Sequence, residues 1–461
     1  MTPADKLEAA LVDVELPPID TMDDGPPTLP LEAYRNEEPA AALDDFLAYL
    51  PDHRYVFVPT GELWPSSSVN ARIAPVRVGK DKTIAPSTWL DQNRAVEQMT
   101  WAPGASMIAR DRLVVGGGWI DKPGCSVFNL YRPPVQIEGE ESRAGPWLDH
   151  VRRVYPDEAA HLIAWLAHRV QRPGEKINHA IVMGGGQGIG KDTILAPVKA
   201  AVGSWNFSEV SPANLLGRFN GFVKSVILRV NEARDLGDID RYAFYDHMKT
   251  YTAAPPEVIR CDEKNLREYP VLNVCGVIIT TNHRTDGIYL PADDRRHFIA
   301  WSELTKDDFQ PDYWTRLWHW YETGGLGHVT AYLRNVDLSG FDAKAPPPKT
   351  ATFYDIVDAN RAPEDAELAD ALDALGNPSA VTIENLTTYA CEELRTFLQD
   401  RRNRRALPHR LESVGYVSVR NDVAADGLWR VLGRRVAVYG RKHDTFADRM
   451  RAARLLTAAC R

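Results

Sequence analysis

The sequence predicts an α/β fold in three parts: a core of buried strands at residues 146–338, a small mixed α/β domain at 40–145 before it, and a basic domain at 366–461 after it. Three observations carry this. Glycines at 184–190 lie between a short apolar run and a helix-spaced one. Two further β-branched runs follow, Ser225–Val230 and Val274–Thr280. Beyond a proline-rich stretch, short helical patterns give way to a hairpin pattern.

The glycine loop reads Gly184-Gly185-Gly186-Gln187-Gly188-Ile189-Gly190-Lys191-Asp192-Thr193. Ala180–Met183 precedes it as a strand, and Ile194–Val202 follows with the apolar spacing of a helix. The Gly185 to Gly190 spacing, with Lys191 next, is that of a P-loop, in which backbone N–H groups and a helix N-terminus point at a polyphosphate. Gly185, Gly186, Gln187, Gly188, Ile189, Gly190 and Lys191 would wrap the phosphates, and Lys191 supplies a point charge to the terminal ones. The position after the lysine, usually a magnesium-binding Ser or Thr, is Asp192, with Thr193 one step later. Either residue could hold the metal, directly or through water.

The whole chain sets bounds on this core. Its 461 residues leave room for several domains, and 44% hydrophobic with 25% charged residues is ordinary for globular protein. No apolar run approaches the length of a membrane span and the N-terminus lacks a secretory segment, so no membrane partner and a cytoplasmic location are expected. Five scattered cysteines include no C-x-x-C pair, which argues against structural zinc and against a disulfide framework. The net charge of −9 is uneven: residues 395–461 hold sixteen Arg or Lys against six Asp or Glu, a balance of +10 that leaves −19 on the rest. A basic terminal domain on an acidic body suggests a local polyanion site, the bland alternative being a solvated arginine-rich surface.

In chain order, residues 1–39 are acidic and proline-rich, too poor in large apolar residues to offset chain entropy, and read as a flexible tail. Strand-like pieces follow at Arg54–Pro59, Ala71–Val78, Leu113–Val115 and Val127–Tyr131, with a helix over Trp89–Met99. No cluster of carboxylates and histidine appears there, so this part reads as structural. Asp157–Val170 predicts a helix with Leu162, Ile163, Trp165, Leu166 and Val170 as its apolar face, and His161 and His168 as surface or packing residues rather than ligands.

The strand Ser225–Val230 ends in Asn231-Glu232, an acid about where a carboxylate would face a γ-phosphate and activate water. Asn231 stands where many P-loop enzymes keep a metal-binding Asp. The strand Val274–Thr280 ends in Thr281-Asn282, an amide placed to sense the γ-phosphate. Between them, 247–270 reads as a helix end and then a hairpin with Lys264 and Arg267 at its tip. Arg295 and Arg296 precede another apolar run. Residues 339–365 read as a proline-rich linker, with Ser339–Thr350 an interdomain linker or strap. Cys391–Asp400 predicts a helix, and Leu428–Val431 with Arg435–Tyr439 a β-hairpin, the outline of a winged helix whose second helix would bear Arg401, Arg402, Arg404 and Arg405.

Taken in order, the loop ending at Lys191, Asn231-Glu232, Lys249 to Lys264, Thr281-Asn282 and Asp294-Arg295-Arg296 resemble the superfamily III helicases. The set is similar above all to the helicase part of phage and plasmid primase-helicases, and more distantly to the virulence-associated protein E family. The resemblance implies an AAA+-like core, ATP with magnesium, and a hexameric ring translocating on single-stranded DNA and opening a forked duplex. It implies Lys191, Glu232, Asn282, Arg295 and Arg296 as the catalytic set, with either arginine reaching a neighbouring subunit's nucleotide. Asp192, Thr193, Asn231 and Glu232 become the metal candidates. Lys264 and Arg267 become the DNA-gripping hairpin. Priming would reside elsewhere, in a separate primase or initiator partner. The alternative is a nucleotide-switched DNA-binding initiator or regulator without processive unwinding.

Overall fold

A computed structural model of the chain describes residues 41–231, 241–284, 288–359, 363–400, 403 and 407–459. The chain divides into two compact units between Val96 and Glu97. The segment 40–145, expected as one small domain, is therefore shared between them.

In the first unit, β1 (Phe46–Tyr49), β2 (Arg54–Phe57), β3 (Glu62–Pro65) and β4 (Ala95–Val96) form a sheet of order β3-β2-β1-β4. Its core holds Phe46 and Tyr55, and the rings of Phe46, Phe57 and Trp64 meet at 5.2–5.3 Å. The expected strand at 71–78 is instead the end of α1 (Ser66–Arg72) followed by a two-residue strand, Val76–Arg77. The expected helix over Trp89–Met99 is shorter and earlier, α2 (Pro86–Asn93). Ala95 and Val96 leave the helix because they pair in parallel with Ala48 and Tyr49, a non-local bond that outweighs local propensity.

The second unit begins with β5 (Gln98–Thr100), β6 (Ile108–Val115) and β7 (Gly118–Asn129), of order β5-β7-β6. Two helices, α3 (Gly145–Val154) and α4 (Ala159–Gln171), lead into the central sheet. That sheet contains β8 (Ala180–Gly185), β9 (Phe207–Val210), β10 (Ile227–Val230), β13 (Gly276–Thr281) and β14 (His297–Ser302). Its order is β9-β10-β13-β8-β14, every pair parallel. β8 and β13 are buried along their whole length, which is why their sequences are continuous apolar runs rather than alternating ones. The helix α5 (Lys191–Val202) follows β8, and the antiparallel hairpin β11 (Val258–Cys261) and β12 (Tyr269–Leu272) lies between β10 and β13 in sequence.

The predicted face of α4 is buried at Leu162, Ile163, Trp165 and Leu166. Arg169, fully buried beside them, donates to the Val274 carbonyl at 2.7 Å. A Cβ on Gly276 would lie 2.5 Å from the Arg169 Cδ and 2.8 Å from the Trp165 ring, so glycine is what lets helix and strand approach. His161 and His168 are packing residues. His161 Nε2 sits 3.0 Å from His179 Nε2, and Phe341 closes over His161, His168 and His179 at 5.5–6.2 Å between ring centres.

Phe341 belongs to the stretch 339–350, read as a linker or strap, and the stretch is packed as a strap. Asn178 N–H donates to Ala343 O at 2.8 Å and Thr350 Oγ1 to Ile299 O at 3.0 Å. Later in 339–365 comes the helix α9 (Ala351–Ala359), with Phe353 and Ile356 buried. Before it lie α7 (Tyr313–Trp320) and α8 (Leu326–Asn335).

Residues 363–459 hold the helices Pro363–Ala374, Ile383–Tyr389, Glu392–Gln399 and Leu407–Ser413 around Leu368, Leu386, Leu394 and Leu411. The strands Ala380–Thr382, Val438–Arg441 and Tyr416–Val419 pair antiparallel in that spatial order, and the expected hairpin is present as Trp429–Val431 against Arg434–Val436. Arg401, Arg402, Arg404 and Arg405 lie outside the described residues, as do residues 1–39.

The buried histidines make fold stability pH-dependent. Burial lowers His161 to about 4 and His179 to about 3, whereas an unfolded histidine protonates near ~6.5. Below pH ~6.5 the unfolded chain therefore binds more protons, and stability falls as pH drops toward 4. The expected result is a melting temperature that declines across pH 6.5 to 4, with a shallower decline in His179→Gln, measured by circular dichroism.

Candidate nucleotide site

The C-terminal ends of β8, β13 and β10 meet at one edge of the sheet, the position where open parallel sheets bind ligands. β8 runs into the glycine loop, and α5 begins at Lys191 with Gly190 before it in the left-handed region, φ 89°. A Cβ there would lie 2.5 Å from His150 Nε2 and 2.6 Å from the Trp314 ring. A Cβ on Gly184 would meet the Trp301 ring at 2.2 Å. The loop is thus packed closely by neighbouring side chains, and its residues with the first turn of α5 line a cleft of about 390 Å³. Gln187, Gly188, Ile189, Gly190, Lys191, Asp192 and Thr193 line that cleft with Thr281 and Asn282. Gly185 and Gly186 contribute through their carbonyls.

Lys191 Nζ donates to Gly185 O at 2.7 Å, Gly186 O at 2.9 Å and Asn282 Oδ1 at 2.8 Å. Asn282 thus sits at the tip of the strand next to β8, as the sequence suggested. The β10 end is one strand further away, on the far side of β13. Asn231 closes β10 through its N–H to Val210 O at 2.9 Å, while its buried Oδ1 has no hydrogen-bond partner among the described residues. Glu232 lies outside them.

Asp192 is engaged by a residue that the sequence motifs do not single out. Arg229, on β10, bonds the Asp192 carboxylate and also Glu209 at 3.1 Å, and Glu209 pairs with Lys199 at 2.9 Å. Those cations hold the Glu209 carboxyl below its usual range against the opposing effect of burial. Arg229 lines the cleft. A charge inside the apolar run Val226–Val230 is the signal that could have found it. The Thr193 carbonyl accepts from Tyr321 O–H at 2.9 Å. His150, behind the loop, lies 3.2 Å from Gly190 O and 2.9 Å from Tyr313 Oη. Burial lowers its pKa, with the Gly190 hydrogen bond opposing and Arg153 adding to the effect. Trp314 and Trp318, one turn apart on α7, form a wall of the cleft, and no motif in the sequence marks them.

The arginine pair behaves unequally. Asp294 is buried and accepts from Tyr245 O–H at 2.8 Å, Arg296 N–H at 2.9 Å and His297 N–H at 3.0 Å. Burial alone would raise its pKa, but His297 and these donors hold it down at about 2. The ionised Asp294 fixes the turn so that Arg296 donates to Lys249 O at 2.9 Å, whereas Arg295 is exposed. Neither lines the cleft among the described residues. Lys264 and Arg267 are exposed at the tip of the β11–β12 hairpin, also away from the cleft.

A left-handed residue with a blocked Cβ costs about 1–3 kcal/mol when given a side chain, and the loop can relieve this only by distorting. Gly190→Ala is therefore expected to destabilise the protein by about 1–3 kcal/mol, read as a lower melting temperature by circular dichroism, with the far-ultraviolet spectrum unchanged.

A family described as one of unknown function (DUF5906) matches residues 182–296, the stretch that contains the glycine loop, Asn282 and the arginine pair. The DNA Primase-polymerase of Nitratiruptor phage NrS-1 is 26% identical over 201 residues, 42% of this chain and 27% of that protein, so the match spans about a quarter of the relative's length. An apo structure of the NrS-1 C terminal region (305-718) superposes with a TM-score of 0.58 at 13% identity, covering 86% of this chain and 95% of that one. An A form apo structure of the same region gives 0.57 at 14% identity, with 86% and 96% covered. This chain shares the fold of that NrS-1 C-terminal region, a mixed α/β fold with a parallel sheet.

Proposed function

We propose that the chain is an ATP hydrolase that couples hydrolysis to movement along single-stranded DNA and to the opening of a forked duplex, as a helicase in phage or other mobile-element replication. The observation that carries the reading is the bond from Lys191 Nζ to Asn282 Oδ1 at 2.8 Å inside a glycine-loop cleft. It joins the group that would neutralise a terminal phosphate to the group that would sense it. The likeness to part of a phage protein named a DNA Primase-polymerase supports a role in DNA replication.

In this reading the loop N–H groups from Gly186 to Gly190 hold the polyphosphate, and Lys191 turns from its carbonyl partners toward the β- and γ-phosphates. Asp192, with a carboxylate that Arg229 pairs, and Thr193, with a hydroxyl, line the cleft and would hold a divalent cation, and Asn231, one strand further away, keeps a buried oxygen without a partner among the described residues. Magnesium would supply charge neutralisation there. Glu232 orients and deprotonates the attacking water, and Asn282 hydrogen-bonds the γ-phosphate. Phosphoryl transfer needs positioning and charge more than covalent chemistry, which suits a site made of amides, one ammonium and carboxylates. Arg295 rather than Arg296 is the arginine that reaches a neighbouring copy in a closed, hexameric ring, because Arg296 already bonds Lys249 O and Arg295 is exposed. Lys264 and Arg267, on an exposed hairpin tip, grip the DNA backbone. A winged-helix-like domain after residue 366 adds a second polyanion contact through Arg401, Arg402, Arg404 and Arg405.

Two outcomes test this. Glu232→Gln is expected to retain ATP binding and lose unwinding of a forked duplex, and a mutant that unwinds normally refutes the assignment. In mixtures with wild type, Arg295→Ala subunits are expected to reduce DNA-stimulated hydrolysis beyond their share, whereas Arg296→Ala acts mainly through stability. Hydrolysis indifferent to DNA, falling only in proportion to mutant added, favours the nucleotide-switched initiator instead.

A further inference from the structure

The aromatic wall of the cleft is unexplained by phosphate chemistry. Trp314 and Trp318 stand four residues apart on α7 and both line the cavity that Lys191 and Asn282 line. Trp314 is braced from behind: its ring centre lies 4.8 Å from Phe309 and 5.6 Å from His150, and its edge sits where a Cβ of Gly190 would be. Trp318 packs on Tyr321 at 5.4 Å, and the Tyr321 hydroxyl bonds the Thr193 carbonyl at 2.9 Å. Trp314 is thus placed against the glycine loop, and Trp318 packs on Tyr321, which bonds the first turn of α5. Yet Trp318 stays 43% exposed. A large apolar ring left facing water beside a polyphosphate cradle is what a flat, partly apolar ligand group would cover.

We propose that Trp314 and Trp318 are the nucleobase platform of this site, with the exposed Trp318 stacking on the purine ring of the bound nucleoside triphosphate. The proposal rests on the nucleotide reading above and deepens it: the loop and Lys191 bind the phosphates, and α7 selects the base by its face. Stacking on an indole offers more contact to a purine than to a pyrimidine, so the site prefers purine triphosphates. Tyr321, just past the end of α7, bonds the Thr193 carbonyl, and His150 on α3 lies against Trp314 and 3.2 Å from Gly190 O, so the platform and the loop share neighbours.

The test compares ATP with inorganic tripolyphosphate, each with magnesium, by isothermal titration calorimetry on the full chain. Base stacking on an aromatic side chain is large enough for Trp318→Ala to weaken ATP binding roughly tenfold, and tripolyphosphate affinity is expected to stay unchanged. Trp318→Phe should restore most of the ATP affinity. Trp318 is the variant of choice because its exposure makes folding insensitive to the change, which a thermal melt checks. Unchanged ATP affinity in Trp318→Ala, or an equal loss for both ligands, overturns the platform while leaving the phosphate site standing. Wild type that binds neither ligand overturns the nucleotide reading and the platform together.

Discussion

The Lys191 ammonium holds the cleft between β8 and β13 in register. It bonds the carbonyls that close β8 and the amide that closes β13, two strands paired residue by residue from Ile181 with Ile278 to Gly184 with Thr281. Because the strands are parallel and neighbours, their C-terminal tips arrive at the same height, and one side chain can span them. A shift of either strand by one residue would move Asn282 and break the bond. The tight packing under the sheet, with Gly276 admitting Arg169 and Trp165, resists that shift.

Around this contact the charges are neutralised in pairs. Arg229 reaches Asp192 and Glu209, and Glu209 reaches Lys199. An acid in the first turn of α5 is favoured by the helix dipole, yet it would oppose an incoming polyphosphate. Arg229 pairs with that carboxylate and offsets its charge. Asp294 plays a comparable part at the other end of the core. It is buried, ionised and fully donated to, and its bonds send Arg296 inward to Lys249 O and leave Arg295 outside.

Much of the core is legible in the amino-acid sequence. The glycine loop, the runs ending at Val230 and Thr281, the α4 face and the hairpin carrying Lys264 and Arg267 all rest on local signals: periodicity, turn residues and apolar runs. The departures share one cause. Ala95 and Val96 look helical by neighbourhood and are strand by pairing with Ala48 and Tyr49. For 339–350 the prolines leave linker and strap both open, and Phe341 over the histidines with the Asn178 to Ala343 bond makes it a strap. Arg229, Trp314 and Trp318 escape a sequence reading because nothing in their immediate neighbourhood names the loop they face.

The sequence by itself determined the strand, glycine loop and helix around Lys191, since glycine spacing and a following lysine act within ten residues of one another. It also determined the charge contrast between the tail and the body. The tertiary structure alone decided that Asn231 lies one strand further away than Asn282, the pairing of Asp192 with Arg229, the unequal fates of Arg295 and Arg296, and the aromatic wall. Each depends on residues brought together across many positions of chain, where contact follows from parallel pairing and burial rather than from proximity in sequence.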